Sequence, residues 1–219
     1  MKAILIGATG LVGKEIAREL VADSRFSHVH LLTRRPSGLS HPKIQESIVD
    51  FEKPLSWKAE VVGDVLFSAM GTTSTQAGSQ AAQYRVDHDY PLEVAQAAKD
   101  NGVQRCVFVS SAGANSHSRL FYLRMKGELE DSVTKLGFDA TFFLRPGPLD
   151  GNREHPRMGE RIMLSFLNLL PKISGWEQLQ PIDAKDVARL CVACVFDERK
   201  PVTILEPKEL FSLLKCPIQ

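Results

Sequence analysis

The chain has 219 residues, of which 43% are hydrophobic and 24% charged, as is ordinary for a globular protein with a sizeable core. Its formal net charge of +1 does not favour binding to nucleic acid or to an anionic membrane. No apolar run reaches the length of a membrane span, and the first predicted strand begins at once, which leaves no room for a signal peptide. We therefore expect a single cytoplasmic domain.

A short apolar strand followed by three glycines opens the chain. Residues 3–6 predict a buried strand, and residues 7–13 read GATGLVG before an amphipathic helix. In such a turn Gly7 permits the tight bend, Gly10 lets backbone N–H groups approach a pyrophosphate, and Gly13 lets the helix lie close to the sheet. The helix N-terminus adds N–H donors and a partial positive charge. This pattern predicts a dinucleotide site.

The end of the second predicted strand, His28–Thr33, indicates which dinucleotide is bound. A site that prefers NAD carries Asp or Glu about 20 residues past the glycines, where it holds the ribose 2′-hydroxyl. This chain carries Arg34 and Arg35 there, with no carboxylate. Guanidinium groups can fork onto a 2′-phosphate, so the pattern favours NADP(H). The alternative is a pair of solvated arginines at a strand end.

The rest of the chain alternates strands and helices, which predicts an α/β fold: a Rossmann-type, doubly wound parallel sheet, with residues 1–219 as one domain. Further strands are expected at 43–49, 64–71, 105–111, 138–144 and 202–205. Helices are expected at 81–101 (broken early at Pro91), 118–136, 183–196 and 207–214. Residues 149–181, rich in Gly, Pro and Arg with one helix near 161–170, are predicted to form a substrate-side lid.

The C-x-x-C pair Cys191 and Cys194 has two interpretations. It could be a redox or metal site, but it lies in an apolar stretch without a second pair or a nearby histidine. Packing of both thiols as small hydrophobes is favoured, and no metal is expected.

Polar residues at and after the fifth strand suggest catalysis. The strand ends in Ser110 and Ser111, and the next helix carries Tyr122 and Lys126. An interval of four residues places the phenol and the ammonium on one face of the helix. The ammonium would stabilise a phenolate, so that Tyr122 could act as acid or base near neutral pH, while a serine hydroxyl polarises a carbonyl oxygen.

At this point the chain resembles the short-chain dehydrogenase/reductase superfamily over nearly its whole length. The matching residues are the GATGLVG turn, Asp50, Ser110-Ser111, Tyr122 with Lys126, and the run from Leu144 to Gly147. Within the superfamily it resembles the atypical, Tat-interacting-protein-like group and its bacterial relatives, often described as nucleoside-diphosphate-sugar epimerases. The longer runs that carry this likeness are 67–73, 86–90, 110–114, 121–128 and 145–149.

The resemblance implies a set of site residues. At the pyrophosphate it places Gly7, Thr9, Gly10, Leu11 and Val12; at the 2′-phosphate Arg34 and Arg35; at the adenine Asp50 and Phe51; elsewhere along the cofactor Ala69, Met70, Gly71, Lys126 and Pro146; and in catalysis Ser111, Tyr122 and Lys126. Ser110 is the alternative catalytic serine, because the spacing does not decide between adjacent hydroxyls. Asp50 could also be an ordinary turn carboxylate.

Two departures from the superfamily shape the functional prediction. The Asn-Asn-Ala-Gly turn after strand four is replaced by residues 69–72, Ala-Met-Gly-Thr, and the C-terminal part is short for gripping a nucleotide sugar. Reduction or oxidation of a small carbonyl or hydroxyl compound is therefore favoured. The alternatives are an NADPH-binding regulatory protein with little turnover and a nucleotide-sugar epimerase or dehydratase. Whether the protein is a monomer or a homodimer stays open.

A basic rim suggests that the small-molecule substrate is anionic, since guanidinium groups pair with carboxylates and phosphates. The alternative is that these side chains are simply solvated. The rim residues are His117, Arg119, Arg145, Arg153, His155, Arg157 and Arg161, and Phe121 lies among them.

Overall fold

The computed structural model describes residues 1–150, 180–197 and 201–215. Seven parallel strands form one sheet: β1 (Lys2–Ile6), β2 (His28–Thr33), β3 (Ile44–Ile48), β4 (Val65–Ser68), β5 (Arg105–Val109), β6 (Ala140–Leu144) and β9 (Val202–Leu205). The helices are α1 (Leu11–Ala22), α2 (Ser74–Ala77), α3 (Gln80–Tyr84), α4 (Tyr90–Asp100), α5 (Phe121–Lys135), α6 (Ala184–Cys194) and α7 (Pro207–Lys215). Short 3₁₀ turns lie at Pro54–Ser56 and Lys58–Glu60.

The order of the strands confirms the predicted Rossmann-type α/β fold. The sheet runs β3-β2-β1-β4-β5-β6-β9, so the chain moves outward from β1 in one direction and then crosses over to β4. A ligand in such a sheet binds beyond the carboxyl ends of the strands, at the point where the order reverses. That point lies between the ends of β1 and β4.

Two apolar layers bury the sheet, because successive side chains of a strand point to opposite faces. On β1, Leu5 packs into the layer that contains α1 and α6, whereas Ile4 and Ile6 pack into the layer that contains α4 and α5. Strands covered on both faces read as continuous apolar runs, as in parallel sheets generally. Both layers hold the strand ends in fixed relative positions.

The predicted break at Pro91 is wrong. Pro91 cannot donate to the carbonyl four residues earlier, yet the helical path continues through a π turn, Arg85–Asp89, into α4. The N–H of Tyr90 bonds the carbonyl of Arg85, five residues back. This wider turn accommodates the proline without ending the helix.

Most of the predicted lid lies outside the described residues, as does the helix predicted near 161–170. The first two residues of the lid segment, Leu149–Asp150 (β7), pair in parallel with Ile182–Asp183 (β8), which directly follow the segment. In the described parts of the chain, no helix is both long and apolar enough to cross a membrane.

Cys191 and Cys194 lie fully inside the apolar layer beside α1. Burial raises the pKa of both thiols, which keeps them in the unreactive protonated form. Their environment is that of packed core residues, as the sequence favoured.

Candidate active site

The parallel sheet brings the predicted site residues to one edge. Because all seven strands run the same way, their carboxyl ends share that edge, and each predicted cofactor or catalytic residue follows a strand end or begins the next helix. We call this the carboxyl edge. From one side to the other it carries the ends of β3, β2, β1, β4, β5, β6 and β9.

The glycine turn after β1 is a cradle that side chains would fill. Gly7 has φ of +84°, and a Cβ there would lie 2.5 Å from the backbone of Ala69. A Cβ on Gly13 would lie 2.1 Å from the carbonyl oxygen of Gly7. Gly10 is the N-cap of α1 and has no side chain, so no side-chain cap takes up the first N–H groups of the helix. These features fit the pyrophosphate of a dinucleotide.

Other residues predicted at the pyrophosphate divide into exposed and packed groups. Thr9 and Leu11 are half-buried at the turn. Val12 is 5% exposed and packs into the core beside α1, so that only its backbone can face a ligand.

Arg34 and Arg35 lie exposed immediately after β2. Within the described ranges, neither guanidinium forms a hydrogen bond or an ion pair. The turn that carries them is closed by Glu46 of β3, whose Oε1 accepts from Thr33 Oγ1 at 3.0 Å and from Ser37 N at 2.8 Å. Two cations thus lie next to the glycine turn without a partner in the described chain.

The two residues predicted at the adenine differ in exposure. Asp50 is exposed, and its carboxylate accepts from Glu52 N at 3.1 Å and faces Lys53 Nζ at 3.2 Å. Phe51 is 2% exposed; its ring stacks on Tyr90 with centroids 5.4 Å apart. Any contact from Phe51 to an adenine would therefore come from its backbone.

The end of β4 is held by an acid that sequence reasoning left without a role. Ala69 lies against Gly7, Met70 is buried, and Gly71 is exposed. The fully buried Asp87, in the π turn, accepts from Thr72 N at 2.7 Å. No asparagine follows β4, and a carboxylate from the neighbouring helix fixes this turn instead.

The structure separates the two adjacent serines. Ser110 is buried, and its hydroxyl donates to the carboxylate of Glu130, which is also held by Arg145 through Nε at 3.1 Å. Ser111 is half-buried, and its hydroxyl makes one weak contact with the Ala112 carbonyl at 3.4 Å. Of the two serine hydroxyls, that of Ser111 is therefore the one without a strong partner among the described residues.

Tyr122 and Lys126 lie in the first two turns of α5, one helical turn apart. The phenol is 39% exposed, whereas the lysine is 3% exposed. Among the residues that the structure describes, none bonds the Lys126 ammonium. The loop after β5 packs tightly on this helix: a Cβ on Gly127 would lie 2.1 Å from Ser116 N. That contact fixes α5 relative to Ser111.

A largely buried ionic network that the sequence did not predict holds the hydroxyl of Ser110 through Glu130. Arg145 pairs with Glu130 and, at 2.6 Å through a second nitrogen, with Glu206 after β9. These carboxylates raise the pKa of Arg145 above its usual range. One signal was available, since Glu130 follows Lys126 by four residues and Tyr122 by eight, on the same face of α5.

This network corrects one part of the predicted basic rim. The charge of Arg145 is satisfied by two carboxylates, so it is not available to select an anionic substrate. His117 and Arg119 are exposed on the loop before α5, whereas residues 153, 155, 157 and 161 lie outside the described residues. Pro146 is buried, and its carbonyl accepts from Ala112 N at 2.9 Å, which joins the loops after β5 and β6.

Comparison of the chain with known protein families agrees with a dinucleotide site at the glycine turn. A family described as NAD(P)H-binding matches residues 7–198. The chain belongs to this NAD(P)H-binding family. A relative from Eremothecium gossypii, "Protein FMP52, mitochondrial", is 38% identical over 222 residues, which are 98% of each chain. The protein of the same name from Candida glabrata is 40% identical over 92% of this chain and 88% of its own.

Solved structures of similar fold include enzymes with bound NAD. MoeE5 in complex with UDP-glucose and NAD has a TM-score of 0.71 at 16% identity, covering 97% of this chain and 80% of its own. A UDP-galactose 4-epimerase has a TM-score of 0.72 at 18% identity, covering 94% and 76%. At such low identity the likeness shows that this member of the NAD(P)H-binding family shares their fold.

The names of the relatives overturn the predicted cytoplasmic location, which was wrong. The relatives from Eremothecium gossypii, Coccidioides immitis and Emericella nidulans are all named mitochondrial. The prediction rested on the lack of an apolar leader, and that feature bears on secretion rather than on import into an organelle, whose signals are amphipathic and basic.

Proposed function

We propose that this protein is an NADP(H)-dependent oxidoreductase that acts on a small carbonyl or hydroxyl compound. The observation that carries the proposal is the carboxyl edge of one sheet. There a glycine cradle follows β1, two arginines without a partner among the described residues follow β2, and the Ser111-Tyr122-Lys126 set follows β5. Membership of the NAD(P)H-binding family supports a nicotinamide cofactor but does not distinguish NADP(H) from NAD(H). The preference for NADP(H) and the reaction are our own inference from the residues.

The preference for the 2′-phosphate rests on Arg34 and Arg35. Their guanidinium groups have no carboxylate partner in the described chain, and they follow β2 beside the cradle. Two charge-assisted hydrogen bonds to a 2′-phosphate contribute about 2–4 kcal/mol, which is about 30- to 900-fold in affinity before desolvation. NADPH should therefore bind more tightly than NADH.

Titration calorimetry with both cofactors tests this preference. The double variant Arg34→Ala/Arg35→Ala should lose most of the gap by weakening NADPH binding, with NADH binding nearly unchanged. Arg18→Ala is the matched control, because Arg18 is an exposed arginine farther along α1. Equal affinities of the wild type for the two cofactors would refute the NADP(H) assignment.

The chemistry proposed for the site is proton delivery to a reacting oxygen. Bound NADPH would supply a hydride to a carbonyl carbon. Tyr122 then gives a proton to the oxygen that gains negative charge, and Ser111 donates a hydrogen bond to the same atom. The Lys126 ammonium, buried one helical turn from the phenol, stabilises the phenolate that is left.

Tyr122→Phe removes one oxygen and tests the proton donor. We expect NADPH binding to persist while turnover of a carbonyl substrate falls about 100-fold or more, as for loss of a general acid. Tyr84→Phe is the control, because the Tyr84 hydroxyl donates to Glu128 at 3.0 Å and burial raises its pKa to about 12. Loss of NADPH absorbance over a panel of carbonyl compounds is the assay.

Two results of that panel point elsewhere. Near-wild-type turnover by Tyr122→Phe would show that the catalytic assignment is wrong. Failure of every carbonyl to oxidise bound NADPH would favour a cofactor-binding regulatory protein, for which the lack of an asparagine after β4 is the supporting observation.

The relatives' names also lead us to propose a mitochondrial location for this chain. Cell fractionation of the tagged full-length protein tests it. Enrichment with a mitochondrial marker is expected, and co-purification with a marker of another compartment would refute it.

A further inference from the structure

We infer that Glu46 is a positioning residue for cofactor preference, because it fixes the turn that carries Arg34 and Arg35. The inference rests on the proposed NADP(H) preference and deepens it. Glu46 is on β3, opposite Leu31 in the register of the sheet, and its side chain reaches the carboxyl edge beyond β2.

One carboxylate oxygen closes the turn from both sides. Glu46 Oε1 accepts from the hydroxyl of Thr33, the last residue of β2, at 3.0 Å, and from the backbone N–H of Ser37 at 2.8 Å. The hydroxyl of Ser37 in turn accepts from Leu39 N at 3.2 Å. Three residues, 34–36, are therefore held between two fixed points.

The first anchor, Thr33, is built into the sheet. Thr33 is 4% exposed and pairs with Ile48, so the first anchor cannot move without disturbing β2 and β3. Arg34 and Arg35 themselves are exposed and have no partner in the described chain. Without the Glu46 bridge, the two arginines would have to be ordered when the cofactor binds, and that loss of freedom would weaken binding.

The charge of Glu46 has the opposite effect to its hydrogen bonds. A carboxylate near a 2′-phosphate repels it, whereas the hydrogen bonds hold the arginines that attract it. Both bonds use Oε1, so the amide oxygen of glutamine can replace it without the charge. The chain therefore offers variants that separate the bridge from the charge.

Titration calorimetry with NADPH and NADH is the test, on the full chain and three variants. Glu46→Ala should weaken NADPH binding about five- to tenfold, the scale of ordering one long side chain on binding, with NADH binding changed less than about twofold. Glu46→Gln should keep the wild-type preference or increase it. Thr33→Val, which removes one of the two bonds, should lie between the wild type and Glu46→Ala.

Amide hydrogen exchange of Ser37 in the cofactor-free protein gives an independent readout. Exchange should be faster in Glu46→Ala and unchanged in Glu46→Gln. A wild type without NADPH preference would refute the proposed function and this inference together. A wild-type preference that Glu46→Ala leaves intact, or that Glu46→Gln loses equally, would overturn only the inference.

Discussion

Replacement of Arg145 by methionine should destabilise the protein strongly, although the residue touches no proposed ligand. Arg145→Met keeps much of the apolar stem and removes the guanidinium, which bonds both oxygens of Glu130 and one of Glu206. The Glu130 side chain is 6% exposed. Among the described residues it would keep the hydroxyl of Ser110 as its remaining hydrogen-bond partner, and its charge would be buried without a paired cation.

The magnitude follows from that burial. Removing one partner of a buried ion pair costs about 3–5 kcal/mol, and because the Arg145 side chain is 16% exposed we expect a cost of about 3 kcal/mol. The Glu206 side chain is 43% exposed, so Glu206→Gln should cost less than about 1 kcal/mol. The double variant Arg145→Met/Glu130→Gln should be more stable than Arg145→Met alone, since no charge is then left buried.

Urea unfolding followed by circular dichroism gives the free energy of unfolding for each variant. A loss below about 1 kcal/mol in Arg145→Met would refute the reasoning. A double variant less stable than the single one would do the same, because the stranded charge would then not be the cause. Either result would also make Ser110 a candidate catalytic serine again, because its hydrogen bond to Glu130 is the reason for preferring Ser111.

Two further predictions concern the glycine turn and a buried histidine. Gly13→Ala places a Cβ 2.1 Å from the carbonyl oxygen of Gly7 and should lower the free energy of unfolding in urea by about 3 kcal/mol. Gly10→Ala places its Cβ 3.2 Å from the same oxygen and should mainly weaken NADPH binding, measured by calorimetry. Equal losses of stability in the two variants would contradict this prediction. Burial lowers the pKa of His30 despite Glu60 at 3.9 Å. Below about pH 6.5 the unfolded chain therefore binds a proton at His30 that the folded protein does not bind. As the pH falls, the free energy of unfolding should decrease more steeply in the wild type than in His30→Gln, measured by unfolding at a series of pH values. Parallel pH profiles of the two proteins would contradict this prediction.

The sequence by itself determined the fold class and the cofactor family. The apolar run before Gly7, the helix after Gly13 and the alternation that follows are local patterns, and local patterns report strands, helices and the turn between them. The sequence also placed Arg34 and Arg35 at a strand end. The prediction of a helix break at Pro91 was wrong. The sequence shows that the proline lacks an N–H donor, but it does not show that a π turn lets the helical path continue without that hydrogen bond.

Only the tertiary structure decided which polar groups are free to act. Ser110 and Ser111 are adjacent in sequence, and what separates them is Glu130, twenty residues later, held by Arg145 from the next strand end. In the same way, Glu46 reaches across from β3 to close the turn after β2. Such partners come from strands that pair across the sheet, and a pattern along one chain carries no record of which carboxylate a distant strand brings to a given hydroxyl or amide.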